Sequence, residues 1–272
     1  MKVPLKSASN ISGEKYIIGA IAGDIIGSVY EFHNVKTVDF DLFCGKSFFT
    51  DDTVLTLATM DAIIHQKSYA GSYQAFGKKY PYKGYGGHFR LWIRSQNPQP
   101  YNSWGNGSAM RVSPIGWYGN SIDEVMAEAQ KSAEVTHNHP EGIKGAQAVA
   151  VAIYMARTGK NKNEIKNHIM DVFHYDLERT IDDIRPGYEF DVSCQGSVPE
   201  AIIAFLESAG YEHAVRLAVS IGGDSDTIAC IAGGIAEAYY QTVPEYIIEN
   251  VLAILPRELV NIIEEFSIIY RT

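Results

Sequence analysis

The chain has 272 residues, 46% hydrophobic and 20% charged, with 23 Lys/Arg against 32 Asp/Glu and a formal charge of −9. This is an ordinary globular composition with ample chain to bury a core. The acidic balance, with no Lys/Arg run longer than two residues, argues against non-specific nucleic-acid binding. Three scattered cysteines (Cys44, Cys194, Cys230) contain no C-x-x-C pair, which argues against a zinc cluster or a disulfide framework and fits a reducing cytoplasm. The longest apolar runs, such as Ala148 to Ala156, fall well short of the roughly twenty residues that a membrane span needs.

Residues 1–14 are polar and patternless, without the apolar region of a signal peptide, and read as a flexible leader. Residues 15–272 carry no linker and no fixed-period repeat, and are expected to form one domain. From Tyr16 onward, small residues at Gly19, Ala20, Gly23 and Gly27 recur at three- and four-residue spacing. On a helix they would form a groove that admits another backbone. Asp24, Gly27, Ser28 and Glu31 follow i, i+3, i+4, i+7, so the two carboxylates would share one helix face. A tightly packed helix with a solvated polar edge explains that pattern equally well.

Thr50 is the expected N-cap of a buried helix running through Val54, Leu55, Leu57, Ala58, Ala62 and Ile63. Residues 69–104 are rich in Tyr, Gly and Trp and read as an aromatic, partly loop-like segment that serves core and lid packing. In Gly105-Asn106-Gly107-Ser108-Ala109-Met110-Arg111 the two glycines suggest a tight bend or a close approach to something bulky. Ser121 to Glu124 has capping-box spacing ahead of a helix. Thr136-His137-Asn138-His139-Pro140 then interrupts before an Ala-rich helix over Gly142 to Arg157. Asn161 to Glu164, Ser197 to Glu200, Thr242 to Glu245 and Pro256 read as further helix starts. Tyr188 to Val192 alternates, as a short strand or extended loop would. The expectation is ten to thirteen helices, no series of strands and an all-α bundle.

Two acidic stretches carry the chemistry: Thr50-Asp51-Asp52-Thr53, and Gly222-Gly223-Asp224-Ser225-Asp226-Thr227. Carboxylates and hydroxyls without Cys or clustered His are hard oxygen ligands, suited to Mg²⁺, Mn²⁺ or Ca²⁺ rather than zinc. Each stretch alone reads first as a helix cap, since Asp and Thr satisfy the free N–H groups of a first turn. If folding joins them, the converging carboxylates would need a cation to balance their charge. His137 and His139 cannot share a helix face; a structural loop and a substrate contact both account for them. No G-x-S-x-G, Walker A or dinucleotide fingerprint follows a strand, and no His-Asp dipeptide occurs.

In order, the motifs G-A-I-A-G-D-I-I-G-S-V-Y-E-F, F-T-D-D-T, G-N-G-S-A-M-R-V-S-P, S-A-E-V-T-H-N-H-P-E-G and G-G-D-S-D-T resemble the ADP-ribosylglycohydrolase family from about Ile17 to Tyr240. The resemblance implies a single compact orthogonal helical bundle holding two Mg²⁺ or Mn²⁺ ions. It implies Thr50, Asp51, Asp52, Asp224, Asp226 and Thr227 as metal ligands, and Glu31 near the metals and the attacked bond. It places Asn106, Gly107, Ser108 and Met110 with the G-N-G loop and His137 on the ligand side. The implied reaction is hydrolysis of the glycosidic bond between C1″ of ADP-ribose and an acceptor, with Glu31, Asp51 or Asp52 acting on the water. The implied partner is an ADP-ribosylated protein or a small ADP-ribose derivative, with no nucleic acid and no membrane. ADP-ribosyl-arginine is the first expectation for the acceptor. ADP-ribosyl-serine, O-acetyl-ADP-ribose and a non-catalytic ADP-ribose-binding module are the alternatives.

Overall fold

Helix α1 (Gly19–Gly27) is buried along its whole length. It packs most closely on α12 (Ser225–Tyr240), as the small-residue groove requires. A Cβ added at Gly23 would lie 2.0 Å from the carbonyl oxygen of Ala229, and one at Gly27 would lie 2.5 Å from Cα of Asp226. Neither position tolerates a side chain at that helix separation. The computed structural model describes residues 16–271, so the expected leader, residues 1–14, lies outside the described residues.

Around this pair stand α11 (Tyr211–Ile221), α10 (Cys194–Glu207) and α7 (Pro140–Arg157), all packed on α12. On the other side, α2 (Asp51–Ile64) packs against α1, α3 (Tyr69–Lys79) and α14 (Arg257–Tyr270). Helices α5 (Ser113–Tyr118), α6 (Ile122–Glu134) and α8 (Lys162–Phe173) lie against α7. Helices α4 (Gly87–Arg94), α9 (Ile181–Ile184) and α13 (Glu245–Ile254) complete the set. The fold is all-α: the described residues hold no strand, only an isolated antiparallel bridge between Gly105 and Ser193. No described helix is long and apolar enough to cross a membrane. At the end of α1 away from Gly27, the buried carboxylate of Glu237 accepts from the backbone N–H of Ile18 (3.1 Å) and Gly19 (2.6 Å), and Arg271 pairs with it.

Fourteen α-helices are present among the described residues, against the expected ten to thirteen. The segment expected to be loop-like contains α3 and α4. Their buried faces are Tyr69, Ser72, Tyr73 and Gly77, and Phe89, Trp92 and Ile93. Both sets have helical spacing, but glycines and aromatics are mediocre helix formers and mask it. Helix α10 begins at Cys194 under a Ser193 cap, a turn before the expected start, and Pro199 lies inside it. Helix α1 ends at Gly27, so Glu31 is not on its face. The chain turns there because Asn34 Nδ2 donates to the carbonyls of Tyr30 (2.7 Å) and Glu31 (2.9 Å). Tyr188 to Val192 is extended loop. The Asn161–Glu164 capping box is complete, whereas Glu124 turns its carboxylate to the N–H of Asn120 instead.

Candidate active site

The end of α1 and the starts of α2 and α12 meet at one cleft. Asp24, fully buried on α1, accepts from Thr50 N (3.0 Å), Thr50 Oγ1 (2.7 Å), Thr53 N (3.1 Å) and Thr53 Oγ1. One carboxylate thereby fixes the first turn of α2. The two acidic stretches are joined directly: Thr227 Oγ1 donates to Asp52 Oδ1 at 3.0 Å across 175 residues. Asn106 Nδ2 donates to Asp224 Oδ2 at 2.6 Å, which ties in the Gly-Asn-Gly turn. Glu31, Asp224 and Asp226 each bring a ligand oxygen within 4.8 Å of the others. Glu31 thus reaches the cluster from the turn after α1. That turn is pinned from below, where Asn34 accepts from Gly223 N (2.8 Å) and donates to Gly223 O (3.1 Å).

Burial pushes all six carboxyls above the ordinary range, and their neighbours' negative charge adds to it for most of them. Glu31 is raised to about 8, first by burial and then by Asp226 and Asp24. Asp224 is raised to about 6, held down in part by Asn106. Asp24, Asp51, Asp52 and Asp226 shift upward with burial as the largest cause. Among the described residues Lys83, at the cleft edge, is drawn to Asp24, one positive charge against six carboxyls. An all-oxygen set that repels itself and outnumbers the protein cations beside it fits hard divalent cations.

Asp51 and Glu31 differ from the rest. Among the described residues neither carboxylate accepts a hydrogen bond from another residue. Asp52 is engaged by Thr227 and Thr50, Asp224 by Asn106, and Asp226 by the N–H of Thr227 (2.9 Å).

The cleft has a volume of about 490 Å³. Asn106, Gly107, Met110 and His137 line it with the carboxylates, which brings most of the expected ligand side together. Ser108 departs from that expectation: its hydroxyl donates to Gly142 O at 2.7 Å behind the loop. Gly107 packs closely on His137: a Cβ there would lie 3.2 Å from Nε2. His137 is buried, and its Nδ1 lies 2.7 Å from Thr136 Oγ1, which in turn accepts from Arg111 Nη2 at 3.0 Å. Burial first, then the Arg111 charge, holds this imidazole well below its ordinary pKa and so neutral. His139 instead caps α7, accepting from Glu141 N at 3.1 Å. At the mouth, Phe32 and Phe190 stack with ring centroids 6.3 Å apart and are 77% and 51% exposed.

Sequence reading missed Asp24 as the organiser of α2, Arg111 behind His137, and Phe32 with Phe190 at the rim. Asp24 carried a signal, an acidic residue inside an otherwise apolar helix. Phe190 carried none.

This carboxylate-lined, all-α cleft is matched by the ADP-ribosylglycohydrolase family model over residues 14–270. The chain belongs to the ADP-ribosylglycohydrolase family. It is accordingly an ADP-ribosyl glycohydrolase by membership. It is 27% identical to ADP-ribosylhydrolase ARH3 of Mus musculus over 312 residues, covering 84% of each chain. It is 28% identical to the putative ADP-ribosyl glycohydrolase L543 of Acanthamoeba polyphaga mimivirus, covering 87% of this chain and 89% of that one. Among solved structures, an ADP-ribosylglycohydrolase-related protein complex shares the fold, with a TM-score of 0.71 at 22% identity and coverage of 94% and 95%.

Proposed function

We propose that the protein hydrolyses the bond between C1″ of ADP-ribose and an acceptor, using a pair of Mg²⁺ or Mn²⁺ ions. Thr50, Asp51, Asp52, Asp224, Asp226 and Thr227 hold the ions. The observation that carries the reading is the meeting of two distant acidic stretches in one cleft whose carboxylates outnumber the cations that line it, Lys83 and Arg111. When bound, the ions supply Lewis acidity toward the ribose hydroxyls and toward water. The chain does the rest. Asp24 and Thr227 hold the ligand carboxylates in register, and the carboxylate wall favours positive charge as it develops on the ribose. Glu31 and Asp51, with oxygens free of protein donors, take the water's proton ahead of Asp52, which is already hydrogen-bonded. His137, neutral, and the Gly-Asn-Gly turn orient the ADP portion.

The acceptor in this reading is arginine. The exposed Phe32 and Phe190 rings beside Glu31 give a guanidinium both stacking faces and a carboxylate. All three cysteines are free, as a reducing cytoplasm would keep them. Incubation with Mg²⁺ and ADP-ribosyl-arginine, with an EDTA control, tests the reading. Metal-dependent release of free ADP-ribose supports it. Release only from an oxygen-linked acceptor overturns the arginine assignment. Tight ADP-ribose binding without release from any acceptor makes the protein a binding module.

A further inference from the structure

Between Asp61 and Asp123 the sequence contains no acidic residue and seven basic ones: Lys67, Lys78, Lys79, Lys83, Arg90, Arg94 and Arg111. In a chain of net charge −9 this leaves −16 for the remainder (−9 minus +7). The fold gathers four of these charges on α3 and α4, and α4 lines the cleft through Gly87, His88 and Phe89. Phe89, Trp92 and Ile93 anchor α4 in the core, so His88, Arg90, Leu91 and Arg94 face outward. Gly87, His88, Arg90, Leu91 and Arg94 line a second concavity of about 580 Å³, and its Gly87 and His88 also line the active-site cleft.

Four of the seven are used internally: Arg111 is buried and donates to Ser132 O and Thr136 Oγ1, and Lys83 lies over the Phe49 ring. Lys79 pairs with Glu258 and Lys67 with Asp61. Among the described residues, Arg90, Arg94 and Lys78 make no ion pair and no side-chain hydrogen bond. Leu91, 69% exposed, adds an apolar contact between the two arginines. An unpaired cationic hollow that opens into the substrate cleft of an acidic protein has a directional use.

We propose that the outer face of α4 docks an acidic segment of the acceptor protein and so selects ADP-ribosylated residues that lie near Asp/Glu-rich sequence. The inference rests on the hydrolase reading and concerns which targets are presented to that site. Charge complementarity identifies the occupant. A nucleic acid needs a long basic track, and one leaving this patch would run onto strongly acidic surface. A short acidic peptide needs only the patch. Exposed cations of this kind act mainly on association rate and specificity, and their effect is screened by salt.

Two measurements test it. Fluorescence anisotropy of an unmodified Glu-rich peptide, compared with a Gly/Ser-rich one, needs no catalysis. Wild-type protein is expected to bind the acidic peptide at least about tenfold better at low salt, with the preference lost near about 0.5 M NaCl and in the R90E/R94E double variant. Hydrolysis of a small ADP-ribosyl derivative is expected to be unchanged in R90E/R94E, which also shows that the variant folds. Cleavage of the same ADP-ribosylated residue set in an acidic peptide should fall by a similar factor. Equal binding of both peptides, or an acidic preference that survives R90E/R94E, overturns the proposal. Stronger competition by a single-stranded oligonucleotide than by an acidic peptide of equal charge, through the same arginines, overturns it in favour of nucleic acid. Failure of hydrolysis on every ADP-ribosylated substrate, with acidic-peptide binding intact, would count against the hydrolase reading and not against the docking face.

Discussion

The two acidic stretches look alike in sequence and are built differently. The first obeys helix-capping rules. Thr50 is extended, its hydroxyl accepts from Asp52 N, and Asp51 and Asp52 occupy the first turn of α2. The second ignores them. Asp224 occupies the cap position of α12 but caps nothing, and its carboxylate goes to Asn106. Before it, Gly222 and Gly223 take φ of +80° and +68°, a region costly for other residues. A cap stabilises its own helix wherever it lies. Gly222 ends α11, but an acid that leaves its own helix uncapped is explained by the site.

The largest expected effects come from one carboxylate of each stretch. Asp226→Asn should lower kcat/KM by about 10³ or more, because it removes a central carboxylate without removing volume. Asp51→Asn should do the same through its free oxygens. Full turnover and full metal binding in both variants would dissolve the site assignment. Gly223→Ala should follow in size. Its Cβ would lie 2.5 Å from Tyr188 Cε1 and 3.0 Å from Glu189 O, on top of the left-handed backbone. A loss of about 2–3 kcal/mol in urea unfolding is expected, with activity falling further than stability explains. Thr50→Ala is smaller. Its cap contributes about 1 kcal/mol, and the two donors that remain at Thr53 keep Asp24 satisfied. Thr50→Ser should restore most of it. If Thr50→Ala unfolds the chain while Gly223→Ala does not, the contrast between the two stretches is reversed.

The contrast also explains what the sequence revealed. Periodic apolar residues and legible caps announced α2, α6, α7, α8, α13 and α14, and capping chemistry is local. The turn after α1 was not legible, because what ends that helix is Asn34 gripping Gly223, nearly two hundred residues away. Glu31 therefore reached the right cluster by an unforeseen route. Helices α3 and α4 stayed hidden because glycine and aromatic residues blur a 3.6-residue period, although their buried positions keep it. Ligand types could be read from the two stretches, but their meeting depends on α1 packing against α12 through glycines, a contact between distant segments.

Cation removal tests the cleft's charge balance. Glu31, raised to about 8, and Asp224, raised to about 6, keep protons in the metal-free fold that they release at lower pH once unfolded. Raised folded-state values mean that their stability contribution is full at low pH and is lost as pH rises from about 4 through 8. EDTA-treated protein should therefore lose a few degrees of Tm across that window. Saturating Mg²⁺ should abolish the loss, and Glu31→Gln should flatten it. A Tm of the EDTA-treated protein that rises over the same window would contradict the sign.

The smallest effect concerns the ligand side and runs in the opposite direction with pH. His137 is buried neutral, so its folded pKa lies below the unfolded value of 6.5. Its contribution is lost as pH falls below about 6.5, where the unfolded chain takes up a proton and the fold does not. Thr136 decides which nitrogen of the neutral ring carries the hydrogen. Its oxygen already accepts from Arg111, and its own hydrogen has His137 Nδ1 at 2.7 Å, Ala133 O at 3.5 Å and the Tyr101 hydroxyl within reach. The 2.7 Å contact wins. Nδ1 then accepts, and Nε2 presents N–H toward the Gly105–Gly107 loop. Thr136→Val keeps the shape and removes both bonds. A rise of about three- to tenfold in KM is expected, with little change in kcat, as for a lost binding contact. The ¹⁵N signals of the His137 ring should move from a single neutral tautomer to a mixture, and Thr136→Ser should restore both readouts. An unchanged tautomer in Thr136→Val would assign the hydroxyl to Ala133 or Tyr101 and leave His137 oriented by packing alone.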